Sequence, residues 1–142
     1  MFWDKAAAPY DLFETIYNGK VYRETGEAVA GEIEPGDVVL ECACGTGAIS
    51  VYIAPVCAKL IATDYSKGML RQTAKKAKHY PNMQVMRADI TNLKCRDNRF
   101  DKVVAGNVIH FYRAFFRDMG YKDVSYRVID GRMPCMIAVI RK

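Results

Sequence analysis

Four short apolar runs, Asp37 to Cys42, Lys59 to Thr63, Met83 to Arg87 and Lys102 to Ala105, follow one another along the chain, and the first three are separated by helix-length intervals. That alternation leaves few architectures open. Ala48 to Cys57 and Ser66 to His79 carry helical patterns between the first three runs; Ser66 supplies an N-cap for the second, and Tyr80, Pro81 and Asn82 stop it. Strands joined through helices form a parallel sheet with helices on both faces, and ligands of such sheets bind beyond the carboxyl ends of the strands. Two helical pieces precede the first strand. Tyr10, Phe13 and Tyr17, then Val21, Thr25, Ala28 and Val29, fall at helical spacing on either side of a break near Gly19.

With 142 residues and 51% hydrophobic content, the chain can bury one core, so one domain is expected. No uncharged apolar run approaches the ~18 residues of a membrane span, and the start lacks a long apolar signal region. The expectation is a soluble, cytoplasmic protein. Five cysteines, an odd number in unpatterned positions, argue for a reducing compartment rather than a disulfide framework. Cys42 and Cys44 have no CxxC partner, and His79 and His110 offer no ligand spacing; they read as core thiols, with no metal expected. The net charge is +5. Part of it, Arg71, Lys75 and Lys78, lies on one helix face with no aromatic residues interleaved for base stacking, so a nucleic-acid partner is not expected.

The residues just past each strand narrow the chemistry. They are Glu41 with the loop Cys44-Gly45-Thr46-Gly47, then Asp64, Asp89 and Asn107. Four polar groups thus converge on one sheet edge. A dinucleotide site would also place glycines after the first strand and an acid after the second, but its GxGxxG fingerprint fails at Ser50. It also has no use for Glu41, whose carboxylate would repel a pyrophosphate. The edge suits a ligand with a nucleoside, no phosphate and a positive charge.

These residues resemble the class I S-adenosylmethionine-dependent methyltransferases over about Ile33 to His110. "VVLECACGTG" looks like the family's first motif, with Ala43 where many members have a glycine; "IATDYSKGML" looks like the second, "MRADITNL" the third and "FDKVVAGNVIH" the fourth strand with its polar cap. Four motifs in order make the likeness specific. Within the family, "DYSKGML" and "GNVIH" most resemble the small-molecule branch that includes quinone-biosynthesis methyltransferases. The resemblance implies S-adenosylmethionine as cofactor and a Rossmann-like α/β fold. Gly45 and Gly47, lacking a Cβ, would let the backbone pass close to the cofactor's methionine part. Glu41 would bind its α-amino group, unless it is simply an acid at a helix N-terminus. Asp64 would accept both ribose hydroxyls, with a turn-forming Asp as the alternative. Asp89 would accept from the adenine amino group, with Ala88 and Ile90 flanking the base. Ala43, Tyr65, Met69 and Asn107 complete the implied cofactor set, although Met69 also reads as core.

Methyl transfer needs alignment and exclusion of water, and a base only where the nucleophile carries a proton that must leave. His110 is the candidate base, and packing under a loop is its equal alternative. Tyr10 and Tyr17 would close over the cofactor as a lid or border the substrate, with core packing as their alternative, and Arg132, in the turn Asp130 to Pro134, would face an anionic acceptor unless it is simply solvated. The aromatic and apolar residues near both termini point to a small hydrophobic or aromatic acceptor. After His110 the chain passes directly to a helix, Phe111 to Met119, and a C-terminal antiparallel hairpin, Val124 to Ile129 and Cys135 to Arg141. Relative to the family, about one strand and helix unit is absent, and if the chain is truly shortened the hairpin must pair beside the fourth strand. The expected organisation is a single methyltransferase-like domain, with an N-terminal helical lid (1–32), a cofactor-binding core (33–110) and the last helix and hairpin (111–142). Two functions remain open: methyl transfer, or a shortened fold that holds the cofactor without turnover.

Overall fold

The computed structural model describes residues 2, 4–7, 9, 19–96 and 99–106, together with the strand backbones 123–129 and 135–141. Helix α1 (Gly19–Ala30) leads into β1 (Val38–Cys42); α2 (Ser50–Ile53) follows and tightens into a 3-10 turn at Ala54–Val56. Then come β2 (Lys59–Asp64), α3 (Lys67–Ala77), β3 (Met83–Arg87), a second 3-10 turn at Ile90–Asn92, and β4 (Lys102–Ala105). The four strands form one parallel sheet in the order β3-β2-β1-β4, with Leu40 beside Ile61 on one side and Val103 on the other. This is the Rossmann-like α/β arrangement.

Alternation along each strand divides the core. Val39, Leu60 and Ala62 are fully buried on the face that receives Val29 of α1, Ile53 of α2 and Leu70 of α3. Leu40, Cys42 and Ile61 point the other way, against Ile90, Leu93 and Phe100 from the segment after β3. That second face is less complete. Among the described residues it carries Met86 and Val103 at 52% and 63% exposure, while the described helices pack on the first face.

Helix α3 begins where the sequence places its cap, with the Ser66 hydroxyl accepting the Met69 N–H at 3.2 Å. The helix expected over Ala48 to Cys57 is shorter. The turn of Gly47 at φ 81° carries through Ile49, and Pro55 has no N–H to continue an α-helical ladder, so only Ser50–Ile53 is α-helical. At the opposite edge of the sheet, Asp101 accepts the Val38 N–H at 2.8 Å and Lys102 pairs with Asp37 at 3.2 Å, which fixes where β1 and β4 start.

Strands β5 (Asp123–Ile129) and β6 (Cys135–Arg141) pair antiparallel as expected, with Ile129 opposite Cys135. They form a separate two-stranded sheet rather than extending the main sheet beside β4. An antiparallel ribbon satisfies its inner backbone groups by itself, so this pairing does not require a free edge of β4. The helix expected over Phe111 to Met119 lies outside the described residues.

Candidate functional site

The loop after β1 is wound by three left-handed residues, Ala43 (φ 53°), Gly45 (φ 58°) and Gly47 (φ 81°). An alanine in that conformation costs about 1–2 kcal/mol, which gives a physical reason for the glycine usual at this position in the resembling family. The two glycines have different tasks. A Cβ at Gly47 would lie 3.0 Å from Cγ2 of Thr73, whereas one at Gly45 would meet nothing within 4 Å. At Gly47 the missing Cβ also lets the loop lie on α3. Gly45 keeps the open side.

Hydrogen bonds tie this loop to the neighbouring strand and helix. Cys44 N–H donates to the Thr63 carbonyl and Gly47 N–H to the Cys44 carbonyl, each at 2.9 Å, while the Thr73 hydroxyl donates to the Gly45 carbonyl at 2.7 Å. Gly45 N–H donates to Asp64 Oδ2 at 2.9 Å, and Ser66 N–H to Asp64 Oδ1 at 2.8 Å. Asp64, the last residue of β2, thus clamps the glycine loop to the β2–α3 turn. Each of its oxygens takes one backbone N–H and keeps a second lone pair for a ligand hydroxyl. The turn-forming and ligand-binding readings of Asp64 are compatible.

Glu41 is only 2% exposed and points to the helix face, where the Ser50 hydroxyl donates to its Oε2. Burial pushes its carboxyl up to about 7; the Ser50 bond opposes the rise and the nearby Asp64 carboxylate adds to it. None of these influences is a cation, so the acid is poised to gain from a positive charge placed beside it. Its partner is the first residue of α2, not the helix backbone.

At the far end of the edge, Ala88 N–H donates to the Asp64 carbonyl at 3.1 Å, which brings the end of β3 against the end of β2. Asp89 is exposed, and its Oδ1 accepts from the Thr91 hydroxyl at 2.7 Å and the Thr91 N–H at 2.9 Å; these bonds hold its carboxyl below the ordinary value. Tyr65 is 48% exposed, with the Arg87 guanidinium 4.8 Å from its ring centroid and Arg87 Nε donating to its carbonyl at 3.0 Å. Met69 is buried at 4% exposure and packs as core, and Ile90 packs under the second face. A cleft of about 360 Å³ on that face is lined by Leu40, Ile61, Ala88, Asp89 and Phe100, but not by Glu41, Gly45 or Asp64. Tyr10, Tyr17, Asn107, His110 and Arg132 lie outside the described residues. Burial raises the Cys42 thiol to about 11 and Cys44 further, which favours the protonated form of both.

Sequence reasoning missed Ser50, Thr73 and Arg87 as supports of this edge. Ser50 had a signal: it stands where a dinucleotide fingerprint needs a glycine, and its hydroxyl instead holds Glu41. Thr73 and Arg87 had none, since a threonine on a helix and an arginine ending a strand are unremarked in any pattern.

A sequence profile for the methyltransferase domain matches residues 39–123. The chain belongs to that family. Among its relatives are the demethylmenaquinone methyltransferases of Corynebacterium urealyticum, 37% identical, and Corynebacterium efficiens, 32% identical, each aligned over 82% of this chain and 51% of the relative. The chain spans about half the length of these curated relatives. Among solved structures, the magnesium protoporphyrin IX methyltransferase of Synechocystis with bound S-adenosylmethionine superposes with a TM-score of 0.77 at 16% identity, covering 99% of this chain and 95% of that one. A phosphoethanolamine N-methyltransferase of Haemonchus contortus, in complex with phosphoethanolamine and S-adenosylhomocysteine, gives 0.63 at 16% identity over 73% of this chain and 23% of that one. At such identities the likeness speaks to the fold.

Proposed function

We propose that this chain binds S-adenosylmethionine at the carboxyl edge of β1 to β3 and serves methyl transfer to a small hydrophobic or aromatic acceptor. The observation that carries the reading is Asp64, held by Gly45 and Ser66 with acceptor capacity to spare, beside a buried Glu41 and an open Gly45. The cofactor supplies a methyl group on a sulfonium that leaves as a neutral thioether. Everything else is positioning. Asp64 accepts the ribose hydroxyls, Gly45 gives the backbone its close approach, and Glu41 meets the cationic amino group. Tyr65, Ala88, Asp89 and Ile90 border the base, and Asn107, which follows β4 in sequence, is our further candidate for a cofactor contact. The relatives named above act on a quinone precursor by their names, which favours a flat apolar acceptor here. Tyr10, Tyr17 and Arg132 are our candidates to meet it, and His110 to take a proton where the acceptor releases one.

We place the protein in the cytoplasm because, among the described residues, Cys42, Cys44, Cys57 and the exposed Cys95 are all free thiols, in keeping with a reducing compartment. No helix among the described residues is long and apolar enough to cross a membrane. Arg71 and Lys75 are exposed on α3 and Lys78 at its C-terminal cap, and we read them as a solvated face because no aromatic residue is interleaved with them. The deciding experiment incubates the protein with labelled S-adenosylmethionine and a panel of quinols, phenols and amines. Acceptor-dependent transfer supports the enzyme; tight cofactor binding with no transfer to any acceptor would leave the binding-only fold.

A further inference from the structure

Asp4 is 60 residues from the Asp64 turn in sequence and touches it in the fold. Its Oδ1 accepts two hydrogen bonds from the start of α3, one from the Ser66 hydroxyl at 2.9 Å and one from the Gly68 N–H at 2.8 Å. Backbone contact accompanies them. A Cβ on Gly68 would fall 2.5 Å from both Cα and the carbonyl oxygen of Asp4, so only glycine lets the N-terminal segment lie on the first turn of α3. Ala7, a turn further along, is buried.

Ser66 is the link to the site. Its N–H donates to Asp64 Oδ1 while its hydroxyl accepts from Met69 and donates to Asp4. Asp64 in turn holds Gly45, whose carbonyl accepts from Thr73. One hydrogen-bonded chain therefore runs from the N-terminal segment through Asp64 to the glycine loop. A carboxylate at a helix start stabilises the helix whatever lies beyond it; this one also binds the serine whose amide orients Asp64.

We propose that Asp4 is a positioning residue of the cofactor site, strapping the N-terminal segment across the β2–α3 turn and holding Ser66 and Asp64 in their ligand-binding orientation. The inference rests on the assignment of Asp64 to the cofactor ribose. Asp4 acts through Ser66 and Asp64, so its effect is read as coupling. By reciprocity, whatever the strap adds to ligand affinity the ligand returns to the strap.

The test uses the full chain, with S-adenosylhomocysteine and adenosine as probes in calorimetry. Asp4→Ala should raise both Kd values about tenfold, as expected for loss of charged hydrogen bonds that orient a contact residue. Both probes shift together because both carry the ribose. Asp4→Asn, whose carbonyl oxygen can accept the same two bonds, should stay within about threefold. Gly68→Ala should reproduce the loss by displacing the segment. If Asp4→Ala lowers the melting temperature but leaves both Kd values unchanged, Asp4 is structural only and the proposal is overturned. Should that variant not fold, amide exchange on the unmodified protein decides: saturating S-adenosylhomocysteine should slow exchange at Ser66 and Gly68, and unchanged rates there would overturn the strap. Asp64→Ala is the control. Unchanged affinity in Asp64→Ala refutes the site assignment itself, whereas loss in Asp64→Ala with none in Asp4→Ala refutes only the strap.

Discussion

Glu41 and Asp89 carry the same chemical group to the same edge of one sheet, and the fold treats them in opposite ways. Glu41 is enclosed on the helix face with a hydroxyl as its hydrogen-bond partner, and its carboxyl is raised to about 7. Asp89 is exposed, satisfied by the next turn of its own chain, and its carboxyl is lowered. Residue type does not separate them. Burial and the nearest donor do. The first acid stores an unfavourable charge that a cationic ligand relieves, while the second is already content without one.

The largest expected effect follows from that stored charge. A carboxyl raised from its ordinary 4.5 to about 7 stabilises the fold fully below pH 4.5, and that stability is lost as pH rises through about 7, because the folded protein binds more protons in the interval. The loss reaches about 3 kcal/mol by pH 8 in the absence of ligand. Glu41→Gln, neutral at every pH, should remove this slope and be more stable than the parent at pH 8. Urea unfolding from pH 5 to pH 8 reads both; a parent stability that stays flat would abolish the contrast with Asp89.

A smaller change sharpens it. Ser50→Ala removes the hydrogen bond that favours the charged form of Glu41, so the pH midpoint of the slope should move upward and stability at neutral pH should fall by about 1 kcal/mol, the usual cost of an orphaned buried partner. In the loop between the two acids, Ala43→Gly should raise stability by less than about 1 kcal/mol, since relief of the left-handed strain outweighs the added freedom of the unfolded chain. Thermal melting checks it, and a fall in melting temperature would mean the alanine methyl packs usefully. The smallest effect belongs to Asp89→Asn, which keeps the acceptor for Thr91 and should leave both stability and its pH dependence near neutrality unchanged. A clear change there would show that the charge of Asp89, not its oxygen, matters.

What the sequence revealed and concealed has a physical pattern. β1 and β2 were legible because parallel strands buried on both faces read as continuous apolar runs, and α3 because Ser66 is a local cap. The acids of the site were legible because each stands at or next to the carboxyl end of its strand. Two things depended on contacts far along the chain and had no local sign: the strap of Asp4 on Gly68, and the different duties of Gly45 and Gly47, which only the position of Thr73 separates. The shortening of α2 lay in plain view at Pro55, but the helical spacing of apolar residues across it pointed the other way. The partial cover of the second sheet face is invisible to periodicity, because Met86 and Val103 alternate as buried residues would.

The central claim is that Asp64 is the contact through which this edge holds a nucleoside. Calorimetric titration of the protein with S-adenosylhomocysteine is the most direct test, with Asp64→Ala beside it. The parent should bind with a Kd in the micromolar range, about −8 kcal/mol, and the variant should lose roughly 1.5–3 kcal/mol while melting cooperatively. Equal affinity in a folded Asp64→Ala protein, or no binding by the parent, would contradict the account.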